Sequence, residues 1–358
     1  MAGLRHYFDW NATTPLRAEA RLAMVQAMDV VGNPSSVHAE GRAAKALIER
    51  ARAQVSAAVG CQPDQVVFTS GATEAAMVLA QVRGQGAVMV DPTAHDALWA
   101  HFDLTGAETG NNVLAMALAN SETGVITEPP QPRDGRWIYG AWSAGSLLLD
   151  VTQAVGRIPF SFSWSGADMA IVSAHKFGGP KGVGALIVRS GLDISPLSLG
   201  GGQEIGRRAG TENLVGIAGF GAAAEAAALD LANGVWDEVA QVRNILETAL
   251  SSRAKQTISV GSSGPRLPNT LCLIAPGWKG ETQVMAMDLA GFAVSAGSAC
   301  SSGKVRSSRV LQAMGFDADL AAQAVRISIG PGVLEDSVLR FADVWLAQYA
   351  KVLARKAG

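Results

Sequence analysis

The run Ser173-Ala174-His175-Lys176-Phe177-Gly178-Gly179-Pro180-Lys181-Gly182 sets a lysine where an apolar strand, 168–172, breaks into glycines. A second apolar strand, 146–149, ends on Asp150 and continues as Val151-Thr152-Gln153-Ala154-Val155-Gly156. An amine and a carboxylate at two strand ends match one covalent chemistry. A deprotonated lysine forms a Schiff base with an aldehyde such as that of pyridoxal phosphate, and a carboxylate keeps the pyridine nitrogen protonated so that the ring accepts electrons. Each residue alone has an ordinary reading, since most loop lysines are solvated and an aspartate after a strand is usually a turn or cap. A third segment adds weight. Val66-Val67-Phe68-Thr69-Ser70 reads as a buried strand, and Gly71-Ala72-Thr73-Glu74 opens an apolar helix that runs to about Val82. Free N–H groups and the positive end of a helix dipole meet at such a turn, which suits a phosphate ester, with the Thr73 hydroxyl as an added donor. The plain alternative is a strand–helix turn capped by Ser70.

The elements that must hold these residues alternate between helix and strand from about 17 to 188, with helices predicted over 17–28 and 41–58. Such alternation implies an α/β fold with a mostly parallel sheet covered by helices. Residues 216–252 read as an alanine-rich helical region broken near Asn233-Gly234, Thr270–Ile274 and 325–329 as strands, and 334–353 as a final amphipathic helix. The predicted large domain is 15–250. The first 14 residues and 251–358 form a smaller α+β domain.

Composition sets limits. A chain of 358 residues that is 48% hydrophobic has the core of an ordinary globular protein. A net charge of −2 without a basic stripe argues against a nucleic-acid partner. Three cysteines, Cys61, Cys272 and Cys300, are too sparse for a disulfide scaffold or a CxxC metal site, which favours a reducing cytoplasm and no metal. No apolar signal core opens the chain and no run reaches the length of a membrane span, so a cytoplasmic protein is expected.

The ordered motifs resemble the cysteine desulfurases of the NifS/IscS type, in the class V branch of fold-type I pyridoxal phosphate enzymes. The resemblance runs almost end to end, through Asp9-Trp10-Asn11-Ala12-Thr13-Thr14-Pro15, Gly32-Asn33-Pro34-Ser35-Ser36-Val37-His38 and Thr69-Ser70-Gly71-Ala72-Thr73-Glu74. It continues through the Asp150 and Lys176 segments, Arg207-Arg208-Ala209-Gly210-Thr211-Glu212-Asn213, Ser295-Ala296-Gly297-Ser298-Ala299-Cys300-Ser301-Ser302-Gly303 and Arg326-Ile327-Ser328-Ile329-Gly330. The resemblance implies the fold-type I transferase fold, with Lys176 as cofactor anchor, Asp150 on the ring nitrogen, His95 stacked over the ring as a proton carrier and Gln153 on the ring hydroxyl. It implies a phosphate held by Ala72, Thr73, Ser173, His175 and, across a homodimer interface, Thr211 of a second copy. It further implies that Arg326 clamps the substrate carboxylate with Asn11 nearby, and that Cys300 accepts sulfur from L-cysteine and passes it to an acceptor protein. His95 has an ordinary reading as a surface histidine and Arg326 as a salt-bridge residue. Rival functions are a class V aminotransferase, a selenocysteine lyase, or a non-catalytic sulfur carrier on a decayed scaffold.

Three features depart from the resemblance. Ser121 in Asn120-Ser121-Glu122-Thr123-Gly124 replaces an asparagine expected at the ring hydroxyl. The interval from His95 to Asn120 is short, which implies a trimmed unit beside the site. Beyond Cys300, Lys304, Arg306 and Arg309 make the loop basic, which favours a thiolate if they lie close in space.

Overall fold

The structure, a computed structural model, describes residues 5–297 and 307–357. The chain forms two compact units, residues 15–118 with 128–232 and residues 1–14 with 119–127 and 233–358. The helix Val235–Arg253 and the turn 119–127 thus fall in the second unit, whereas the sequence set a boundary at 250. The break comes at Gly234, which starts that helix at a left-handed φ of 72°. Trp236, Val239, Leu246 and Leu250 then turn one helix face inward, and the helix packs on Glu335–Ala357. The 119–127 turn is tied in by backbone bonds from Leu267 N–H to the Gly124 carbonyl (2.7 Å) and from Ile126 N–H to the Pro265 carbonyl (3.0 Å).

The first unit is built on a six-stranded sheet, in the order Val66–Thr69, Gly184–Val188, Met169–Ser173, Ser146–Asp150, Val113–Ala117 and Val88–Val90. Only Gly184–Val188 runs against the others, because it pairs antiparallel with both of its neighbours. Val66–Thr69, Met169–Ser173 and Gly184–Val188 are buried along their whole length, as strands covered on both faces must be. Helices Ala18–Met28, Ala39–Val59 and Leu214–Ala232 pack together. Leu214–Ala232 is by length and composition apolar enough to cross a membrane, which corrects the expectation that no run is; 56% of that stretch is buried, as in a core helix.

The predicted helix after Gly71 is one α turn, Ala72–Ala75, followed by a 3₁₀ stretch, Ala76–Val82. A nearly continuous apolar run does not distinguish a period of 3.6 from 3.0. A small antiparallel sheet of Pro132–Arg133, Arg136–Tyr139 and Trp142–Ala144 interrupts the α/β order. Its first turn is Asp134-Gly135, both at positive φ (51° and 71°).

The second unit holds an antiparallel sheet of Ile258–Ser259, Thr270–Ile274 and Ala324–Ser328. His6–Tyr7 pairs in parallel with Phe292–Ala293. Val338, Phe341, Ala342, Trp345 and Tyr349 are buried at helical spacing along Glu335–Ala357, and Phe341 meets Phe292 edge-on at 5.3 Å.

Candidate active site

In the first unit the chemistry-bearing residues stand at the C-terminal ends of the parallel strands, where ligands of open α/β sheets bind. Asp150 ends Ser146–Asp150 and lies opposite Ile171 in the neighbouring strand. Ser173 follows Ile171 by two residues, about 7 Å along the strand. The turn Ala174–Lys176 comes next. His95 follows Val88–Val90, and Thr73 follows Val66–Thr69. The edge is thus a row of strand ends.

Local contacts fix each group. Asp150 is 8% exposed, and its Oδ1 accepts from Thr152 N–H at 2.9 Å. Gly184 lets the turn after Val66–Thr69 lie close to the sheet, because a Cβ there would meet the Val172 carbonyl at 2.5 Å and Gly71 Cα at 2.7 Å. Beside it, a Cβ at Gly71 would sit 3.8 Å from Ser173 Oγ. Glu74 Oε2 accepts from Ser70 N–H at 2.5 Å, and Arg208 pairs with its Oε1 at 2.8 Å. Burial raises the Glu74 pKa, but these bonds outweigh it and hold the carboxyl below its ordinary value.

Arg157, 1% exposed, joins the two loops of the anchor pair. Its Nη1 donates to Gln153 Oε1 at 2.5 Å and its Nη2 to the Lys176 carbonyl at 2.7 Å. The amide nitrogen of Gln153 is therefore its donor side. Burial, then the charges of Lys176, Lys181 and Arg157, push His175 down to about 4, so its ring is neutral at pH 7. His95 caps the helix Asp96–Trp99, with Nδ1 accepting from Ala97 N–H at 3.1 Å.

The second unit organises Arg326 differently. It lies within the strand Ala324–Ser328, 5% exposed, opposite Cys272. Its Nη2 pairs with Asp9 Oδ1 at 2.7 Å, and its Nη1 donates to the Ser121 carbonyl at 3.0 Å. The other Asp9 oxygen accepts from Ser295 Oγ at 2.8 Å. Asn11 Nδ2 donates to the same Ser121 carbonyl at 3.1 Å and to Thr270 Oγ1 at 2.8 Å. Arg326, Asn11 and Ser121 are thus one network. Of the five guanidinium N–H groups, two are used in these bonds, and Arg326 Nε is buried without a partner among the described residues.

Thr211 is exposed. Cys300, with Lys304 and Arg306, lies outside the described residues. Of the other cysteines, burial pushes half-buried Cys61 up to about 12, with Asp64 adding to the effect, and burial raises Cys272 still further. Both are held as thiols.

The first-unit donors fit pyridoxal phosphate. A Thr73 hydroxyl in a first helical turn, Ser173 Oγ beside Gly71 and a neutral His175 suit a phosphate ester, while buried Asp150 suits a ring nitrogen. Thr152 Oγ1, in the turn below Asp150, is buried with no hydrogen-bond partner among the described residues, as expected where a further polar group is to be received. Thr152 and Arg157 were not singled out from sequence. Their signal lay in the run Asp150-Val151-Thr152-Gln153 and in a charged residue four positions after Gln153.

The Aminotransferase class-V family profile matches residues 6–95 and 102–341. A cysteine desulfurase of Frankia sp. (strain EuIK1) is 37% identical over 382 residues, covering 94% of this chain and 90% of that protein. The cysteine desulfurase IscS of Dictyoglomus turgidum is 33% identical over 356 residues, covering 90% and 89%. The X-ray structure of a NifS-like protein from Rickettsia africae is similar with a TM-score of 0.84 at 27% identity, covering 97% of this chain and 99% of that one.

Proposed function

The chain belongs to the class-V aminotransferase family, and we propose that it is a pyridoxal phosphate dependent cysteine desulfurase that turns L-cysteine into L-alanine and leaves a persulfide on Cys300. The observation that carries this reading is the pair of strand ends, a buried Asp150 and the Lys176 turn, joined through Arg157. The desulfurases of Frankia and Dictyoglomus support it, being similar over nearly their whole length.

Pyridoxal phosphate, when bound, supplies the electron sink that no side chain of this protein offers. Thr73, Ser173 and His175 bind its phosphate, and Asp150 keeps a proton on its ring nitrogen. Gln153 donates from its amide nitrogen to the ring hydroxyl. Lys176 would anchor the cofactor and would be the group that moves the substrate's Cα proton. Arg326 and Asn11 orient the substrate carboxylate. Cys300 attacks the substrate sulfur: the S–S bond forms as the C–S bond breaks, one thiol proton remains on the persulfide and the other ends on the alanine methyl. The sum needs no outside oxidant or reductant. In this reading Thr211, exposed on one chain, serves the phosphate of a second copy in a homodimer, and an acceptor protein collects the sulfur.

Product analysis tests the assignment. The purified protein loaded with pyridoxal phosphate and given L-cysteine with a thiol should form alanine and sulfide in equal amounts. A keto acid without released sulfur would identify an aminotransferase and contradict the proposal. Loss of only selenium, from selenocysteine, would identify the lyase.

A further inference from the structure

The family match lapses over residues 96–101, directly after His95. There the helix spans only Asp96–Trp99. Helices shorter than about 12 residues are marginal by themselves. The His95 ring must therefore be fixed by what surrounds the helix, and the contacts on both of its sides lead to the small sheet at 132–144.

On the near side stands Asp91, 4% exposed, just after the strand Val88–Val90. Its Oδ1 accepts from Thr93 N–H at 2.7 Å and from the Thr93 hydroxyl at 2.5 Å, and its carbonyl accepts from Ala94 N–H at 2.9 Å. These bonds close the turn that delivers His95. The other carboxylate oxygen, Oδ2, accepts from the Tyr139 hydroxyl. Burial, then the bond to Asp91 and its charge, raise the Tyr139 pKa strongly, so the phenol stays a donor at any working pH.

On the far side, Trp99 closes the helix and stacks on Phe102 with centroids 4.8 Å apart at 9°. Phe102 meets Trp142 at 6.1 Å, and Trp142 meets Tyr139 at 6.2 Å. The small sheet thus grips the His95 segment twice, by a hydrogen bond before the ring and by aromatic contact after it. Held so, the imidazole keeps Nδ1 on the Ala97 N–H, and in the neutral ring the proton belongs on Nε2.

We propose that Tyr139 and Asp91 form a positioning pair that fixes the orientation and tautomer of His95 for the reaction. The pair replaces the support that a longer helix would give. Its role in turnover rests on the functional reading above; its effect on the imidazole does not, which keeps the two separable.

The test uses cofactor-free protein labelled with 15N-histidine, in which His95→Gln identifies the His95 signals among the five histidines. Wild type should show His95 as one tautomer with the proton on Nε2. Tyr139→Phe keeps the aromatic contacts and should give a mixture of tautomers with little change in melting temperature. Asp91→Asn retains an acceptor for Thr93 and a partner for Tyr139, so it should stay near wild type, whereas Asp91→Ala should behave as Tyr139→Phe. In the loaded enzyme Tyr139→Phe should lower kcat for L-cysteine on the order of tenfold to a hundredfold with KM nearly unchanged, as misplacing a reacting group does. Signals of His95 unchanged in both Tyr139→Phe and Asp91→Ala would overturn the proposal, whatever the enzyme's reaction. Altered signals with unchanged kcat would overturn the pair's part in turnover. Altered signals in the two variants, together with a wild-type enzyme that makes no alanine, would leave the pair standing and sink the functional reading.

Discussion

The two units hold a charged side chain in place by opposite means. In the first unit Asp150 and Lys176 stand at and just beyond strand ends, so backbone pairing sets their place, with Thr152 N–H two residues from Asp150 and Arg157 nineteen from Lys176. In the second, Arg326 sits inside a strand, fixed by Asp9 and by the Ser121 carbonyl, 317 and 205 residues away in sequence. A strand-end residue is free to do chemistry at little cost to the fold. A mid-strand guanidinium tied into a buried pair is also part of what holds the fold.

That contrast predicts different consequences for loss of each group. Lys176→Ala should lose activity by about 10³-fold or more, since a positioned proton-transfer group alone contributes about 10²–10⁴-fold. Its melting temperature should stay near wild type. A large drop in melting temperature would remove the distinction between the units. Asp9→Ala strands a buried cation, and removing one partner of such a pair costs about 3–5 kcal/mol. Because the Asp9 side chain keeps 17% exposure, a loss of about 3 kcal/mol is expected from the urea midpoint. An unchanged midpoint would mean that the Arg326 network carries no stability.

Between these extremes lies Asp150→Ala. It should loosen the cofactor about tenfold to a hundredfold, the equivalent of one charge-assisted hydrogen bond of about 1.5–3 kcal/mol. Fluorescence titration with pyridoxal phosphate measures it, and wild-type affinity would show that the ring is oriented by another group. A further effect, seen only as the pH is lowered, concerns His175. Its pKa is depressed from 6.5 to about 4, so between those values the unfolded chain binds a proton that the folded chain refuses. The contribution is intact above pH 6.5 and is lost as the pH falls towards 4. His175→Gln should flatten that part of the stability profile relative to wild type, and parallel profiles would contradict the shift.

The same contrast decides what the sequence discloses. The lysine and aspartate are legible because apolar runs that break off mark strand ends; the registers place Asp150 at one, and Lys176 lies in the turn that follows Met169–Ser173. The strand Thr270–Ile274 was likewise read at its observed limits, since five consecutive apolar or β-favouring residues bounded by Pro268-Asn269 and Pro276-Gly277 admit little else. Partners distant in sequence left no such mark. Nothing local to Arg326 points to Asp9, and nothing local to Asp91 points to Tyr139. The small sheet does carry a local signal, Asp134-Gly135, a turn pair suited to the positive φ angles that it adopts. The 3₁₀ stretch Ala76–Val82 had none, because its apolar run is uniform.

On the proposed reading, sulfur passes from L-cysteine to one cysteine of three. The loaded enzyme should be incubated with L-cysteine without added thiol, alkylated and mapped by mass spectrometry. One added sulfur atom is expected on the peptide containing Cys300, none on those containing Cys61 or Cys272, whose thiols burial keeps protonated, and alanine equal to the sulfur bound in the first turnover. Alanine formed with continuing sulfur release in Cys300→Ala, or sulfur found on Cys61 or Cys272 instead, would contradict it.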